Sequence, residues 1–334
     1  MKKITLHFIL IFTTILCISC DNSDDNDIPL VASLDEWVEV SDASTPDDLL
    51  LLTVSKSGQV FTVGNNTGTT NAIGNMGLDF NESYLAMQTV IATENTIYAV
   101  EYLFDEAQTN NLLIHDIASN ITQRIPLTFP SNIEGDQPRV LALVWDNTSN
   151  LIALVDEDFY PAGSTRHLVN INLQDYSVSE IGVTYDGDIV TSMKKIANNI
   201  YISTWNEGLI EIDLATNTLN TLSNINGTRL AAISDTQLAF MEVYGLAIRG
   251  VRPSIIDTNT QTVTPNFATA SIQVNDILGG TVFANQTYLN LVITPDVNFG
   301  ILKTDFNSDK SILVPITFTD YIGEMVMVNA IPVN

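Results

Sequence analysis

Six short turns of one phrasing recur along this chain, and they constrain its fold more than any other feature. They are Gly64-Asn65-Asn66-Thr67, Asp116-Ile117-Ala118-Ser119, Asn172-Leu173-Gln174-Asp175, Asp213-Leu214-Ala215-Thr216, Asp257-Thr258-Asn259-Thr260 and Asp305-Phe306-Asn307-Ser308. Five of the six open with Asp or Asn, and five of the six close with Ser or Thr. Such an opening side chain accepts N–H bonds from the residues just ahead, and Ser or Thr does the same more weakly. Each turn follows a short strand such as Leu209-Ile210-Glu211-Ile212, and most precede a β-prone stretch such as Leu219-Asn220-Thr221-Leu222. The two strands therefore fold back on each other as a hairpin.

The turns begin at positions 64, 116, 172, 213, 257 and 305, so the unit runs from 41 to 56 residues. That length suits a four-stranded sheet with variable loops, one blade of a β-propeller. A blade has two faces that it cannot bury alone, and stacking in a ring buries both. Segments of four to eight apolar-alternating residues fill the chain, with no amphipathic helix of three turns, so the fold class is all-β. The fourth unit reads as strands over 190–196, 199–204, 208–213 and 219–222. The first unit lacks an inner strand before 49–54. The chain ends with Met325-Val326-Met327-Val328-Asn329, placed after 312–318 as an inner strand should be. This C-terminal strand is expected to complete the first blade and close a ring of six four-stranded blades. Trp37-Val38-Glu39-Val40 is left over, either as an added strand or as a first-blade strand in a seven-bladed scheme. A β-sandwich is the alternative fold. The pattern resembles the TolB-like and YVTN-type propellers, in which Asp-x-x-Thr turns follow the third strand, over most of residues 45–334. Those families host enzymes and binding proteins alike, so the resemblance implies a fold and leaves function open.

The N-terminus carries a different kind of signal. Lys2 and Lys3 precede a mostly apolar run over 4–18. That run is short for a membrane-spanning helix, which needs about 20 apolar residues, and it fits a secretory signal. It ends in Cys17-Ile18-Ser19-Cys20, which resembles the lipobox of bacterial lipoproteins, although Cys17 stands where leucine is usual. The resemblance implies cleavage before Cys20 and acylation of Cys20. The division expected is a signal peptide over 1–19, an acidic flexible tether over 20–35 and a propeller over 36–334. Cys17 and Cys20 are the only cysteines, so the mature chain would keep one. One cysteine cannot form an internal disulfide or a multi-cysteine metal site, and attachment gives it a role. The tract Asp21-Asn22-Ser23-Asp24-Asp25-Asn26-Asp27 is polar and cannot pack. It lacks the glycine and glutamate of a calcium loop, so calcium there is a minor alternative. The tract also resembles surface-export signals of lipoproteins in one Gram-negative phylum. The place implied is the outer membrane, at the cell surface or on the periplasmic face.

The chain has 39 acidic and 13 basic residues, and losing Lys2 and Lys3 leaves a mature charge of −28. Nucleic acid is excluded as a partner, because phosphate binding needs a basic surface. The lipid must then do the membrane anchoring. Such a charge keeps a protein soluble, and a cationic ligand or divalent metal is its sharper implication.

One rim of a propeller is built from the loops joining second and third strands and from the connections between blades. Here these are residues 104–110, 156–166, 205–207, 244–252 and 294–299, with 184–188 between blades. Asp156, Asp158, Tyr160, Asp186, Asp188, Trp205 and Glu207 gather in them and are the candidate binding residues. Aromatic stacking beside carboxylates suits a protein, peptide or glycan ligand. No Gly-x-Ser-x-Gly elbow, His-Glu-x-x-His or phosphate-binding glycine loop occurs. The histidines after the signal, His115 and His167, fall in third strands and are expected to be structural or surface histidines. No catalytic residue, cofactor or metal set is singled out. A lipid-anchored binding module is therefore the first reading. A metal- or carboxylate-dependent hydrolase of lactonase or glycosidase type is the second, and a structural part of an outer-membrane assembly is the third.

Overall fold

The run Leu49-Leu50-Leu51-Leu52 shows why this chain makes a ring. Leu51 and Leu52 point to opposite faces of one strand, and both are fully buried. A strand buried on both faces needs a sheet packed on each side. The computed structural model describes residues 30–32, 38–41, 44–78, 83–103, 109–133, 138–146, 149–157, 165–244, 249–265, 270–274, 276–294, 299–308, 311–316 and 325–333. It shows a six-bladed β-propeller with no helix among these residues.

Blade 1 is Met325–Pro332, Leu49–Ser55, Gln59–Gly64 and Thr70–Asn75, in that order from the axis outward. Blade 2 is Ser83–Ala92, Thr96–Leu103, Asn110–Asp116 and Ile121–Pro126. Blade 3 is Arg139–Trp145, Asn150–Asp156, Arg166–Asn172 and Val178–Tyr185. Blade 4 is Val190–Ile196, Asn199–Thr204, Leu209–Asp213 and Thr218–Ser223. Blade 5 is Gly227–Ser234, Gln237–Tyr244, Arg249–Asp257 and Thr262–Pro265, with Ala270–Val274 continuing the fourth-strand position beside the start of the long third strand. Blade 6 is Asp276–Ala284, Thr287–Ile293, Phe299–Asp305 and Ser311–Pro315.

The C-terminal strand closes the ring as the sequence predicts, pairing antiparallel with Leu49–Ser55 from Met325↔Ser55 to Pro332↔Leu49. Of the two roles open to 37–40, the structure selects the added strand. Val38–Val40 lies parallel to Ser311–Leu313 at the outer edge of blade 6. Leu30–Ala32, within the segment expected as a tether, likewise pairs in parallel with Ala270–Ile272 beside blade 5. Cys20 and the tract 21–27 lie outside the described residues.

Six apolar clusters fill the molecule, and each lies between one pair of adjacent blades. Leu49, Leu51, Phe61 and Val63 of blade 1 pack on Leu289, Leu291 and Ile301 of blade 6. On the other face, Leu52, Val54 and Val60 meet Leu85, Ile97 and Leu113 of blade 2. Each fully buried side chain of this kind contributes roughly 1.5–3 kcal/mol. The outermost strands read differently. Thr218–Ser223 is exposed at its first four positions, which keeps the sheet edge wet and polar.

The turns that open with Asp are built as predicted. Asp116 Oδ1 accepts the Ser119 N–H and hydroxyl at 2.7 and 2.6 Å. Asp213 accepts the N–H groups of Ala215 and Thr216, and Asp257 those of Asn259 and Thr260. A feature the phrasing did not include follows five of the six turns. Gly68, Asn120, Tyr176, Asn217 and Gln261 all have φ between 55° and 66°. This left-handed residue turns the chain into the fourth strand.

All six inner strands also carry a break in register against their second strands, at Leu85/Val90, Val140/Ala142, Val190/Ser192, Thr228/Ala231, Ile277/Thr281 and Met327/Asn329. Such bulges twist a strand and re-aim its side chains. Here they do so around the axis.

Candidate functional site

The rim read from the sequence forms where blades 3 and 4 meet, and its organiser is Arg166. This residue opens the third strand of blade 3, opposite Asp156 in register. Its buried guanidinium stands 3.6 Å from the Asp156 carboxylate. It donates to the carbonyls of Gly187 and Asp188 at 2.7 and 3.0 Å, and it lies 5.6 Å from the centre of the Tyr185 ring. The Tyr185 hydroxyl donates to Glu207 at 2.7 Å. Burial, then the carboxylate of Glu207, pushes this phenol well above its ordinary pKa. Asn206 donates to Asp188 at 2.8 Å, and the Trp205 N–H donates to the Ile189 carbonyl.

Asp156, Asp188, Trp205 and Glu207 are thus brought to one place. Asp186 is exposed on the same connection between blades. Asp158 and Tyr160 lie outside the described residues. Asp156, Asp188 and Glu207 are engaged one by one, by Arg166, Asn206 and Tyr185. Among the described residues, no group of three or more His, Cys, Asp or Glu could hold a metal ion. His167, next to Arg166, is gripped by Glu157 at 2.7 Å and Glu180 at 2.9 Å. His115 is buried, with Nδ1 3.0 Å from the Thr122 hydroxyl. Burial lowers the His115 pKa and favours its neutral form.

A second opening lies on the ring axis, where sequence reasoning did not look. A cavity of about 360 Å³ is lined by residues from the inner strands of all six blades. Among the described residues its polar wall is Gln88, Ser192, Lys194, Lys195, Arg229 and Thr281, with no Asp or Glu. In blades 2 to 4 the lining residues come from the middle and far halves of the inner strands, away from the rim that holds Glu207.

The bulges set this wall. The break in blade 4 falls at Thr191, whose carbonyl accepts the Thr228 hydroxyl and an Arg229 N–H, both at 3.3 Å. The Ser192 hydroxyl accepts the Leu230 N–H at 2.9 Å. Arg229 has φ of 59°, and the Tyr288 hydroxyl of blade 6 donates to its carbonyl. A non-glycine residue in this conformation persists only where its surroundings hold it. Lys195 donates to the carbonyls of Ala197 and Asp146. Lys194 differs from its neighbour: burial alone lowers its pKa, with no carboxylate to oppose it. Gln88 Nε2 is buried with no hydrogen-bond partner among the described residues. The sequence did hold a signal here. Lys194 and Lys195 stand together inside an inner strand of a chain with 13 basic residues.

No protein-family profile matches the chain, and no curated protein is significantly similar to it. Solved structures share its fold. The cobalt-substituted Synechocystis apocarotenoid oxygenase is 10% identical over 85% of this chain and 72% of its own, with a TM-score of 0.52. A puromycin hydrolase is 11% identical over 87% of this chain and 57% of its own, at 0.46. A chain of the mitotic checkpoint complex is 15% identical over 91% and 86%, at 0.47. At 10% identity the likeness to the oxygenase is one of fold alone.

Proposed function

We propose that this chain is a lipid-anchored protein of the outer membrane whose propeller is a binding module, with its ligand seated on the ring axis. The observation that carries the reading is the axial cavity. Its walls come from all six blades, and they present the buried amide nitrogen of Gln88 and the half-buried side chain of Lys194. Buried polar groups without partners are costly, and a ligand that bonds them recovers that cost. A cavity of this size is at the lower end of the range for small-molecule sites. It suits a small molecule or one residue of a peptide or glycan. Anchoring through Cys20 rests on the lipobox resemblance, and exposure at the surface rests on the acidic tract behind it.

The rim fits a supporting part. Arg166 ties the 184–188 connection to blade 3, and Glu207 ties the neighbouring loop to Tyr185. The test uses the full chain purified in detergent. A thermal-shift screen of sugars, peptides and metabolites should find ligands that raise Tm and are recovered unchanged. Turnover of such a ligand would replace the binding reading with the hydrolase. Metabolic labelling with a fatty acid, lost in Cys20→Ala, tests the anchor separately.

A further inference from the structure

We infer that the axial cavity selects a small organic anion, a carboxylate or phosphate, with Lys194 as its principal counter-charge. This inference rests on the binding reading above and names the ligand class. The chain has three acidic residues for every basic one. A cavity drawn at random from it would be lined by carboxylates. Among the described residues this one is lined by Lys194, Lys195 and Arg229 and by no acidic side chain.

The three cations are held differently. Lys195 is occupied by the backbone carbonyls of Ala197 and Asp146. Arg229 is fixed at a bulge by blades 4 and 6. Lys194 has no ion-pair or hydrogen-bond partner among the described residues. Lys194 is half-buried, and an unpaired ammonium partly shielded from water gains from an anion placed beside it. Gln88 Nε2 supplies a neutral donor from blade 2, and the hydroxyls of Ser192 and Thr281 line the same space. One strong cation with several neutral donors suits a singly or doubly charged small molecule. A neutral sugar would leave Lys194 unpaired. A cation would meet like charge.

The experiment is a calorimetric titration of the full chain in detergent with matched probes. Glucuronate and glucose share a ring and differ at one carboxylate, and inorganic phosphate separates the second anionic source. The inference expects saturable binding of glucuronate or phosphate and at least about tenfold weaker binding of glucose. Lys194→Met and Lys194→Gln should weaken the anion by a similar factor while leaving the Tm of the unliganded chain within about 2 °C of wild type, because Lys194 is half-buried and makes no bond among the described residues. The unchanged Tm separates lost binding from lost folding. Glucose binding as well as glucuronate, unaffected by either variant, would overturn the anion inference and leave the binding reading standing. No binding of any probe at millimolar concentration would overturn the anion inference. Axial binding of some other neutral ligand in the screen would then show that the binding reading survives it.

Discussion

The Asp47 carboxylate accepts the Thr67 hydroxyl at 2.7 Å, across a separation of 20 residues. It also accepts the N–H groups of Asn66 and Thr67 at 2.7 and 2.9 Å. In the other turns the opening Asp or Asn itself accepts backbone N–H groups from the residues just ahead. The first turn opens with Gly64 instead, and a Cβ on Gly64 would stand 2.2 Å from an Asp47 oxygen. The chain entering blade 1 thus supplies the side chain that the turn lacks, and the glycine leaves room for it.

This substitution from outside can be tested by moving the carboxylate back. Asp47→Ala removes three hydrogen bonds and should cost about 1–3 kcal/mol, read from urea unfolding. Gly64→Asp alone should also destabilise, by collision with Asp47. The double variant Asp47→Ala, Gly64→Asp should recover part of the loss, a coupling that a double-mutant cycle measures directly. Additive losses would refute the exchange.

These turns were legible because their bonds are local. An Asp followed by Thr three residues on states its own geometry, and the closing strand followed from a missing partner for 49–54. What escaped notice depends on distant parts of the chain. Asp47 lies outside the repeat it completes. Arg166 organises the acids that composition had marked, yet a lone arginine at a strand start carries no pattern. The register breaks that aim Lys194 and Arg229 at the axis follow from ring closure, which no local phrase encodes.

The C-terminal strand should be indispensable. Ending the chain at residue 324 removes the partner of Leu49–Ser55 and the packing of Val328 and Ile331 on the cluster between blades 1 and 2. The truncated chain should lose cooperative unfolding and become open to proteolysis within 49–64. Unfolding with the same midpoint and slope would show that the ring closes another way.

His167 should make stability depend on pH in a defined direction. Burial pulls its pKa down, but the hydrogen bonds and charges of Glu157 and Glu180 outweigh burial and raise it above 6.5. A histidine raised in the folded state contributes fully below the unfolded value, and that contribution is lost as pH rises through the folded value. Glu180 is held below its ordinary value chiefly by its bond to His167, so its own contribution is lost only as pH falls through that lowered value. As pH rises from 6.5 through the raised folded value, the wild type should lose stability that His167→Gln does not lose. The buried His115 is common to both chains and cancels in the difference. Parallel urea midpoints across this window would contradict the assignment.

Gly187 keeps the rim closed. An added Cβ would stand 2.3 Å from both the Glu207 carboxylate and the Tyr185 hydroxyl. Gly187→Ala should therefore open the Tyr185–Glu207 bond, at a cost of about 1–2 kcal/mol. Hydrogen exchange should quicken at 184–188 and 205–207 and stay unchanged in blade 1. Unaltered exchange at both rim segments would mean that the bond does not order them.

The central claim is that a ligand sits on the ring axis. A crystal structure of the chain bound to the tightest anion from the titrations tests it most directly. The account predicts density inside the cavity, within hydrogen-bond distance of Lys194 Nζ. Density at the rim beside Asp188 and Glu207, with no ligand between the inner strands, would contradict it.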